Sequence, residues 1–308
     1  LIPQGITEFT NAGMMAGLAT VNFSEDTYKE FNGFYGAMST YGSFSYLKYG
    51  PLRLFSQIAQ DSDLKVGKVI WVAGHSGPET AEDSRTHFGI FAPGVTQLFP
   101  EGQIINLHPW EHNEVAPCLA AALSTDVALI VLHLTRPSVT IPDRQALGMA
   151  SHMDAARGAY IIKDYDHNVE KKGVVIIRGT SSTNSLVEIL PRLTEEGPNV
   201  KIVAAVSWEL FQRQLEDYQY SVISGKEWQD AMVITNGALR LMHKWIANRI
   251  VEEYSLSPDF DNRWRTGGSL EQIIKESRLD PHSVWDGIMH FTNDREKRLT
   301  RLRSEIPT

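Results

Sequence analysis

The sequence contains one cysteine, Cys118, among its 308 residues. A lone thiol forms no internal disulfide, which excludes a disulfide scaffold and favours a cytoplasmic location. Long apolar runs are also missing: residues 127–134 fall short of the roughly 18 residues of a membrane helix, and they include His133. The net charge of −8 provides no basic excess for a nucleic-acid-binding surface. We therefore expect neither a membrane nor a nucleic-acid partner.

Short apolar runs alternate with helical patterns along the chain. The runs at residues 68–73, 103–107, 128–134, 173–178 and 200–206 are predicted strands, and residues 50–60, 111–123, 184–195 and 208–217 are predicted helices. This alternation predicts the α/β class, with two domains that each contain a mainly parallel sheet flanked by helices. The Pro-containing and charged stretch between them predicts a first domain at residues 1–142, a linker at 143–172 and a second domain at 173–308.

Chemistry-bearing side chains concentrate in residues 72–90, VAGHSGPETAEDSRTHFGI. His75 directly follows a predicted strand, at the end where ligands bind in open parallel sheets. Glu82, Asp83 and His87 follow in the next loop, and such groups can be tuned for proton transfer. Composition alone leaves a polar surface loop as an equal alternative.

The spacing within this loop resembles a known family. In transketolases, a strand that ends in a small residue and His leads into Gly-Glu-Asp-Gly-Pro-Thr-His, and here Glu82, Asp83, Thr86 and His87 keep those offsets from His75. Four further segments resemble the family in the same order: ITE at residues 6–8 with GLA at 17–19, STYGSF at 39–44, LTR at 134–136 and WELF at 208–211. The sequence departs from the family at Leu47, Ala81, Ser84 and Arg85.

The resemblance implies thiamine diphosphate as the cofactor. Glu8 is expected to contact N1′ of the aminopyrimidine, because a carboxyl group next to that nitrogen can shuttle the proton that activates the cofactor. Tyr41 and Phe44 are expected to stack on the same ring. An exposed first-turn carboxylate is the alternative for Glu8, and core packing is the alternative for the aromatic residues.

The resemblance also implies substrate contacts. His75 and His87 are expected to contact the hydroxyls of the donor sugar or the developing charge, and Asp83 to bind a substrate hydroxyl. Arg136 is expected to hold the sugar phosphate, since a guanidinium pairs two phosphate oxygens at once.

No metal site is predicted in this chain. Pro109 interrupts a one-face arrangement of His108 and His112, which argues against zinc. The family binds Mg²⁺ or Ca²⁺ through Gly-Asp-Gly followed by Asn, and this pattern is missing from the sequence. We therefore expect the metal and the diphosphate to be held by a companion chain or an N-terminal fragment, within a homo-oligomer such as a dimer of the complete enzyme. Leu1 is expected to be an internal residue of a longer polypeptide, or the chain to be one subunit of a split enzyme.

The predicted function is transketolase-type transfer of a two-carbon ketol unit from a ketose phosphate to an aldose. The resemblance places this reaction in carbohydrate metabolism, in the pentose phosphate pathway. Two alternatives remain: the β chain of a 2-oxo acid dehydrogenase first component, and a non-catalytic regulatory subunit.

Overall fold

The protein is described by a computed structural model that covers residues 5–74, 76–82, 84–265 and 267–305. Two four-stranded sheets with flanking helices form this part of the chain. The predicted α/β class with two mainly parallel sheets is confirmed. Within these ranges, every helix is too short or too polar to serve as a membrane span.

The first sheet is built from parallel strands only. It contains β1 (Gly36–Tyr41), β2 (Val69–Gly74), β3 (Ile104–Leu107) and β4 (Leu129–His133), in the spatial order β1-β2-β4-β3. All residues of β3 and β4 are buried, as expected for strands covered on both faces. Helices α1 (Glu8–Thr20) and α2 (Tyr49–Asp61) pack on one face and α4 (Val115–Leu123) on the other, while the short α3 (Pro93–Thr96) precedes β3.

The second sheet is parallel except for its first strand. It contains β5 (Ala159–Lys163), β6 (Val174–Arg178), β7 (Lys201–Ala205) and β8 (Ala231–Thr235), in the order β5-β7-β6-β8. The helices of this region are α5 (Thr180–Glu195), α6 (Trp208–Phe211), α7 (Glu216–Val222), α8 (Gly225–Gln229), α9 (Arg249–Glu253), α10 (Leu270–Glu276), α11 (Pro281–Asn293) and α12 (Arg295–Glu305). The predicted helix at 208–217 is therefore two helices, α6 and the start of α7.

One strand lies inside the segment that the sequence predicts as a linker. β5 falls within residues 143–172 and pairs antiparallel with β7, with an irregular register between Ile161 and Lys163. Its five residues, AYIIK, lie between a glycine and a charged run. Because both flanking segments are typical of loops, the sequence pattern does not predict this strand. The linker prediction is wrong over residues 159–163, which belong to the second sheet.

The two sheets share apolar and polar contacts. One buried cluster joins Ile105 and Ile130 of the first sheet to Val175 and Ala204 of the second. Such continuous packing fixes the position of one sheet against the other and brings polar groups of both domains into contact.

Candidate active site

The predicted site lies at the carboxyl edge of the first sheet. Because β1, β2 and β4 are parallel neighbours, their carboxyl ends meet at one edge. Thr40 and Tyr41 end β1, Gly74 ends β2 directly before His75, and Arg136 lies exposed three residues after β4. The fold therefore gathers chain segments at this edge that are far apart in sequence.

Three aromatic side chains form a cluster at this edge. The Tyr41 and His87 rings are stacked, with centroids 4.4 Å apart and an interplanar angle of 23°. Phe44 lies edge-on to both, at 6.2 Å from Tyr41 and 6.0 Å from His87. Tyr41 is 39% exposed. The cluster presents aromatic surface that a planar ligand could contact.

A carboxylate stands next to this cluster. Glu8 begins α1, where a negative charge is favoured by the helix dipole, and it is half-buried. The Thr40 hydroxyl donates to Glu8 Oε1 at 3.2 Å, which ties the carboxylate to the residue before Tyr41. Glu8 is thus held at the end of the strand that carries Tyr41.

Sequence reasoning missed a buried lysine near Glu8. Lys48 is 0% exposed, and its Nζ donates to the Ser39 carbonyl at 3.1 Å. Burial lowers the pKa of Lys48 to about 8, and the Glu8 carboxylate opposes this shift. The sequence shows a lysine beside aromatic residues but gives no sign that its amine is buried.

A second buried group, Glu79, holds the loop that carries His87. Its Oε2 accepts from Ser181 at 2.9 Å and its Oε1 from Asn236 at 3.1 Å, and both partners belong to the second domain. The next residue, Thr80, donates to the carbonyl oxygens of Gly77, at 2.8 Å, and of His87. Burial raises the pKa of Glu79, while its hydrogen bonds oppose that rise. The second domain thereby anchors a loop of the candidate site.

The sequence of residues 158–254 matches the family model of the transketolase-like C-terminal domain. A probable transketolase from Schizosaccharomyces pombe is 27% identical over 256 residues, which are 79% of this chain and 32% of that protein. The chain is homologous to the C-terminal half of transketolases. It covers 23% and 30% of two Craterostigma plantagineum transketolases, so it spans less than a third of these curated relatives.

Solved transketolase structures share the fold. The transketolase from Leishmania mexicana has a TM-score of 0.72 at 18% identity, with 94% of this chain and 38% of that chain covered. A split-gene transketolase, described as an inactive β4 tetramer, has a TM-score of 0.58 at 18% identity, with 95% of this chain and 84% of that chain covered. The second similarity involves a chain of comparable length.

The transketolase-like arrangement brings four predicted residues together. Glu8, Tyr41, Phe44 and His87 are joined directly or through Thr40 at the carboxyl edge of the first sheet. Arg136 lies on the segment that follows β4 at the same edge, and its predicted phosphate contact stays a prediction. His75 and Asp83 lie outside the described residues, so their predicted roles also stay predictions.

These residues fit the aminopyrimidine end of thiamine diphosphate. The aminopyrimidine ring could pack against the aromatic surface of Tyr41 and Phe44. The Glu8 carboxyl group at the same sheet edge could hold a proton at a nitrogen of that ring. In the ranges that the structure describes, no three His, Cys, Asp or Glu side chains are grouped to hold a metal ion. This fit therefore concerns the aminopyrimidine end of the cofactor.

Proposed function

We propose that this chain supplies the pyrimidine-binding and C-terminal domains of a transketolase-type enzyme. The complete enzyme would move a two-carbon ketol unit from a ketose phosphate to an aldose. The observation that carries the proposal is the hydrogen bond of Glu8 to Thr40, the residue before Tyr41, at the sheet edge where the Tyr41, Phe44 and His87 rings cluster. The homology to transketolases favours this reaction over that of a 2-oxo acid dehydrogenase component.

Glu8 is proposed to move a proton. When bound, thiamine diphosphate supplies carbanion stabilisation at the carbon to be transferred. Glu8 would hold a proton at N1′ of the aminopyrimidine, and the Thr40 hydroxyl would keep the carboxyl group oriented. Tyr41 and Phe44 would hold the ring at the distance that this proton transfer needs.

The remaining residues are proposed to bind the sugar. His87 stacks on Tyr41 and is half-buried, so it can present a ring nitrogen to a donor hydroxyl next to the cofactor site. Arg136 would hold the phosphate at the far end of the substrate, with His75 and Asp83 as further contacts. Because Thr80 and Glu79 hold the His87 loop against the second domain, that domain would contribute to substrate binding indirectly.

The companion chain is the third part of the proposal. The first domain exposes many large apolar side chains within residues 6–47, and soluble monomers rarely leave so many uncovered. Besides Tyr41 of the candidate site, they are Ile6, Phe9, Phe23, Tyr28, Phe34, Tyr35, Tyr46 and Leu47. We assign this surface to a companion that carries the diphosphate-binding domain with Mg²⁺ or Ca²⁺, and we expect the complete enzyme to be an oligomer.

Native mass spectrometry of the protein purified from its source identifies the companion. With that companion, thiamine diphosphate and Mg²⁺, ketol transfer between xylulose 5-phosphate and ribose 5-phosphate should be measurable. Glu8→Gln should reduce kcat by about 100-fold or more, because it removes a proton-transfer group. Glu195→Gln, an exposed change on α5, is the matched control and should leave kcat unchanged.

Undiminished turnover of the Glu8→Gln enzyme would contradict the proposed role. Oxidative decarboxylation of pyruvate with an artificial electron acceptor would point instead to the dehydrogenase component. If the complex does not bind thiamine diphosphate in calorimetry, the chain is a non-catalytic subunit.

A further inference from the structure

Lys48 is a buried cation whose position the fold alone does not explain. Its side chain is 0% exposed, and lysine is almost never buried completely unless it is paired with an acid. The ammonium has three N–H donors, and among the described residues its one acceptor is the Ser39 carbonyl, 3.1 Å from Nζ. Lys48 also immediately precedes α2, at a helix N-terminus where negative charge is favoured over positive. Burial and helix position therefore both disfavour this charge.

Short contacts connect Lys48 to Glu8. The Ser39 carbonyl that accepts from Lys48 belongs to the residue before Thr40 in β1. The Thr40 hydroxyl in turn donates to Glu8 Oε1 at 3.2 Å. One peptide unit and one hydroxyl therefore separate the ammonium of Lys48 from the carboxylate of Glu8. At such a separation, opposite charges attract each other through the protein interior.

The charges around Lys48 single out Glu8. The turn that ends at Lys48, residues 42–48, packs mainly against α1, α2, α3, β1, β2 and the short turn at residues 85–87. Besides tyrosines and Lys48 itself, the charged or titratable groups on these elements are Glu8, Arg53, Asp61, Arg85 and His87. Burial lowers the pKa of Lys48 to about 8, and among the described residues the Glu8 carboxylate is the charge that opposes this shift. Glu8 is therefore the group to which Lys48 is coupled.

The attraction between the two groups is reciprocal. If the Glu8 charge stabilises the ammonium of Lys48, the ammonium stabilises the ionised carboxylate of Glu8 by the same free energy. Because the pKa of Lys48 is about 8, the ammonium is charged at neutral pH and below. A carboxyl group beside a ring nitrogen shares one proton with it, and the ionised carboxylate leaves that proton on the ring. Lys48 can therefore determine which of the two atoms holds the proton.

We propose that Lys48 is a positioning residue for the proton of Glu8: its buried ammonium favours the Glu8 carboxylate, so that the shared proton lies at N1′ of the aminopyrimidine. Lys48 is enclosed by protein and touches neither cofactor nor substrate, so it acts through Glu8. The proton passes from the carboxyl oxygen of Glu8 to N1′, and no other bond changes. The inference rests on the role of Glu8 in the proposed function and adds the group that sets the position of its proton.

NMR titration of the chain without cofactor tests the coupling. In protein that contains ¹³C-labelled lysine, the assigned Cε signal of Lys48 follows the protonation of its amine. In Glu8→Gln the pKa of Lys48 should fall below its wild-type value of about 8, because the charge that raises it is removed. We expect the proton affinity of Lys48 to fall about 3- to 10-fold. In Lys48→Gln the carboxyl carbon of Glu8 should titrate at a higher pH, by the same fold-change in proton affinity.

The pH profile of the complete enzyme tests the consequence for ketol transfer. Lys48→Gln keeps a neutral donor for the Ser39 carbonyl but removes the charge. The acid limb of the kcat profile should therefore move to higher pH. On that limb kcat should fall about 3- to 10-fold, with a smaller effect at higher pH, where Glu8 is ionised without help. A merely structural role of Lys48 would instead lower kcat equally at every pH.

Lys68→Gln is the matched control. Lys68 is also buried and also binds backbone carbonyls, those of Thr125 at 2.6 Å and Val127 at 2.8 Å. It immediately precedes β2 and so lies at the amino edge of the first sheet, whereas Glu8 is bonded at the carboxyl edge. This variant should leave both the titration of Glu8 and the pH profile of kcat as they are in the wild type.

Two results would overturn the inference: an unchanged titration of Lys48 in Glu8→Gln, or a pH profile that Lys48→Gln does not move. The first measurement needs no substitution of Lys48, so it decides even if Lys48→Gln does not fold. Full turnover of Glu8→Gln would contradict the proposed function itself. If Glu8→Gln loses turnover but Lys48→Gln moves neither the titration of Glu8 nor the profile, the proposed function stands and the role of Lys48 alone is wrong.

Discussion

Two buried carboxylates link the domains, and they do so by different means. Glu79 is 2% exposed and Glu114 is 0% exposed. Each lies in the first domain and contacts the second. Glu114 pairs with the Arg144 cation, whereas the partners of Glu79 among the described residues are neutral.

The Glu114 contact is a dense network. Its Oε1 accepts from Arg144 Nη2 at 2.7 Å and from the Tyr160 hydroxyl at 2.5 Å, and its Oε2 accepts from the Trp110 N–H at 3.1 Å. Arg144 also binds Glu111 at 2.9 Å. The network joins the start of α4 to β5 of the second sheet, so it holds the domains together at some distance from the candidate site.

The Glu79 contact is sparse and lies on the loop of the candidate site. The hydroxyl of Ser181 and the amide of Asn236 donate to it from the second domain. A buried carboxylate without a cation is poorly compensated, so its protonation state responds to small changes nearby. The Glu114 network therefore stabilises the arrangement of the two domains, whereas Glu79 couples that arrangement to the position of the loop that carries His87.

Arg144→Met should have the largest effect. It leaves Glu114 and Glu111 without their cation, and breaking a buried pair in this way costs about 3–5 kcal/mol. Urea unfolding measures the loss. Arg249→Met, an exposed change on α9, is the control and should stay within about 0.5 kcal/mol. A loss below about 1 kcal/mol would remove the distinction between the two carboxylates.

Asn236→Ala should have the next largest effect. It removes one of the neutral partners of Glu79, and a hydrogen bond to a charged group contributes about 1.5–3 kcal/mol. Hydrogen exchange should also become faster in residues 76–90, because the loop loses its anchor. An equal loss of stability with unchanged exchange in that loop would contradict the coupling.

The pH dependence of stability should differ between wild type and Glu79→Gln. Since the native pKa of Glu79 is raised, the native state binds more protons than the unfolded state between the ordinary carboxyl value and the raised one. The wild type should therefore lose stability relative to Glu79→Gln as the pH rises through this window, by about 1.4 kcal/mol per unit of pKa difference. Glu114 is present in both proteins, so its contribution to the pH dependence of stability cancels in the comparison. A difference that is independent of pH would contradict the raised pKa.

Tyr160→Phe should have the smallest effect. Glu114 loses one hydroxyl donor but keeps Arg144 and the backbone N–H of Trp110. The Nε1–H of Trp110 loses its acceptor, so a loss of about 1–2 kcal/mol is expected. Tyr218→Phe is the control, because it removes a hydroxyl that donates to the Ala159 carbonyl and leaves Glu114 unaffected. A larger loss for Tyr160→Phe than for Arg144→Met would show that the cation is not the main partner of Glu114.

Local patterns predicted much of the fold but little of its long-range contacts. The apolar runs of β2, β3, β4, β6 and β7 indicate buried strands. The sequence of β1, GAMSTY, mixes polar and apolar residues, so its pattern does not predict a strand. Motif spacing identified Glu8, Tyr41, Phe44 and His87. It could not identify the Glu79–Asn236 contact, which joins positions 157 residues apart, or the burial of Arg178. These depend on how the sheets face each other.

The antiparallel strand β5 decides where the second domain can be separated from the first. It covers the outer edge of β7, so a fragment that begins at residue 173 would leave the backbone groups of β7 unpaired. Bare strand edges are templates for pairing between chains, and such a fragment should aggregate. A fragment that begins at residue 158, where the family match also begins, keeps this edge covered. β5 therefore protects the second domain from self-association when it is separated from the first.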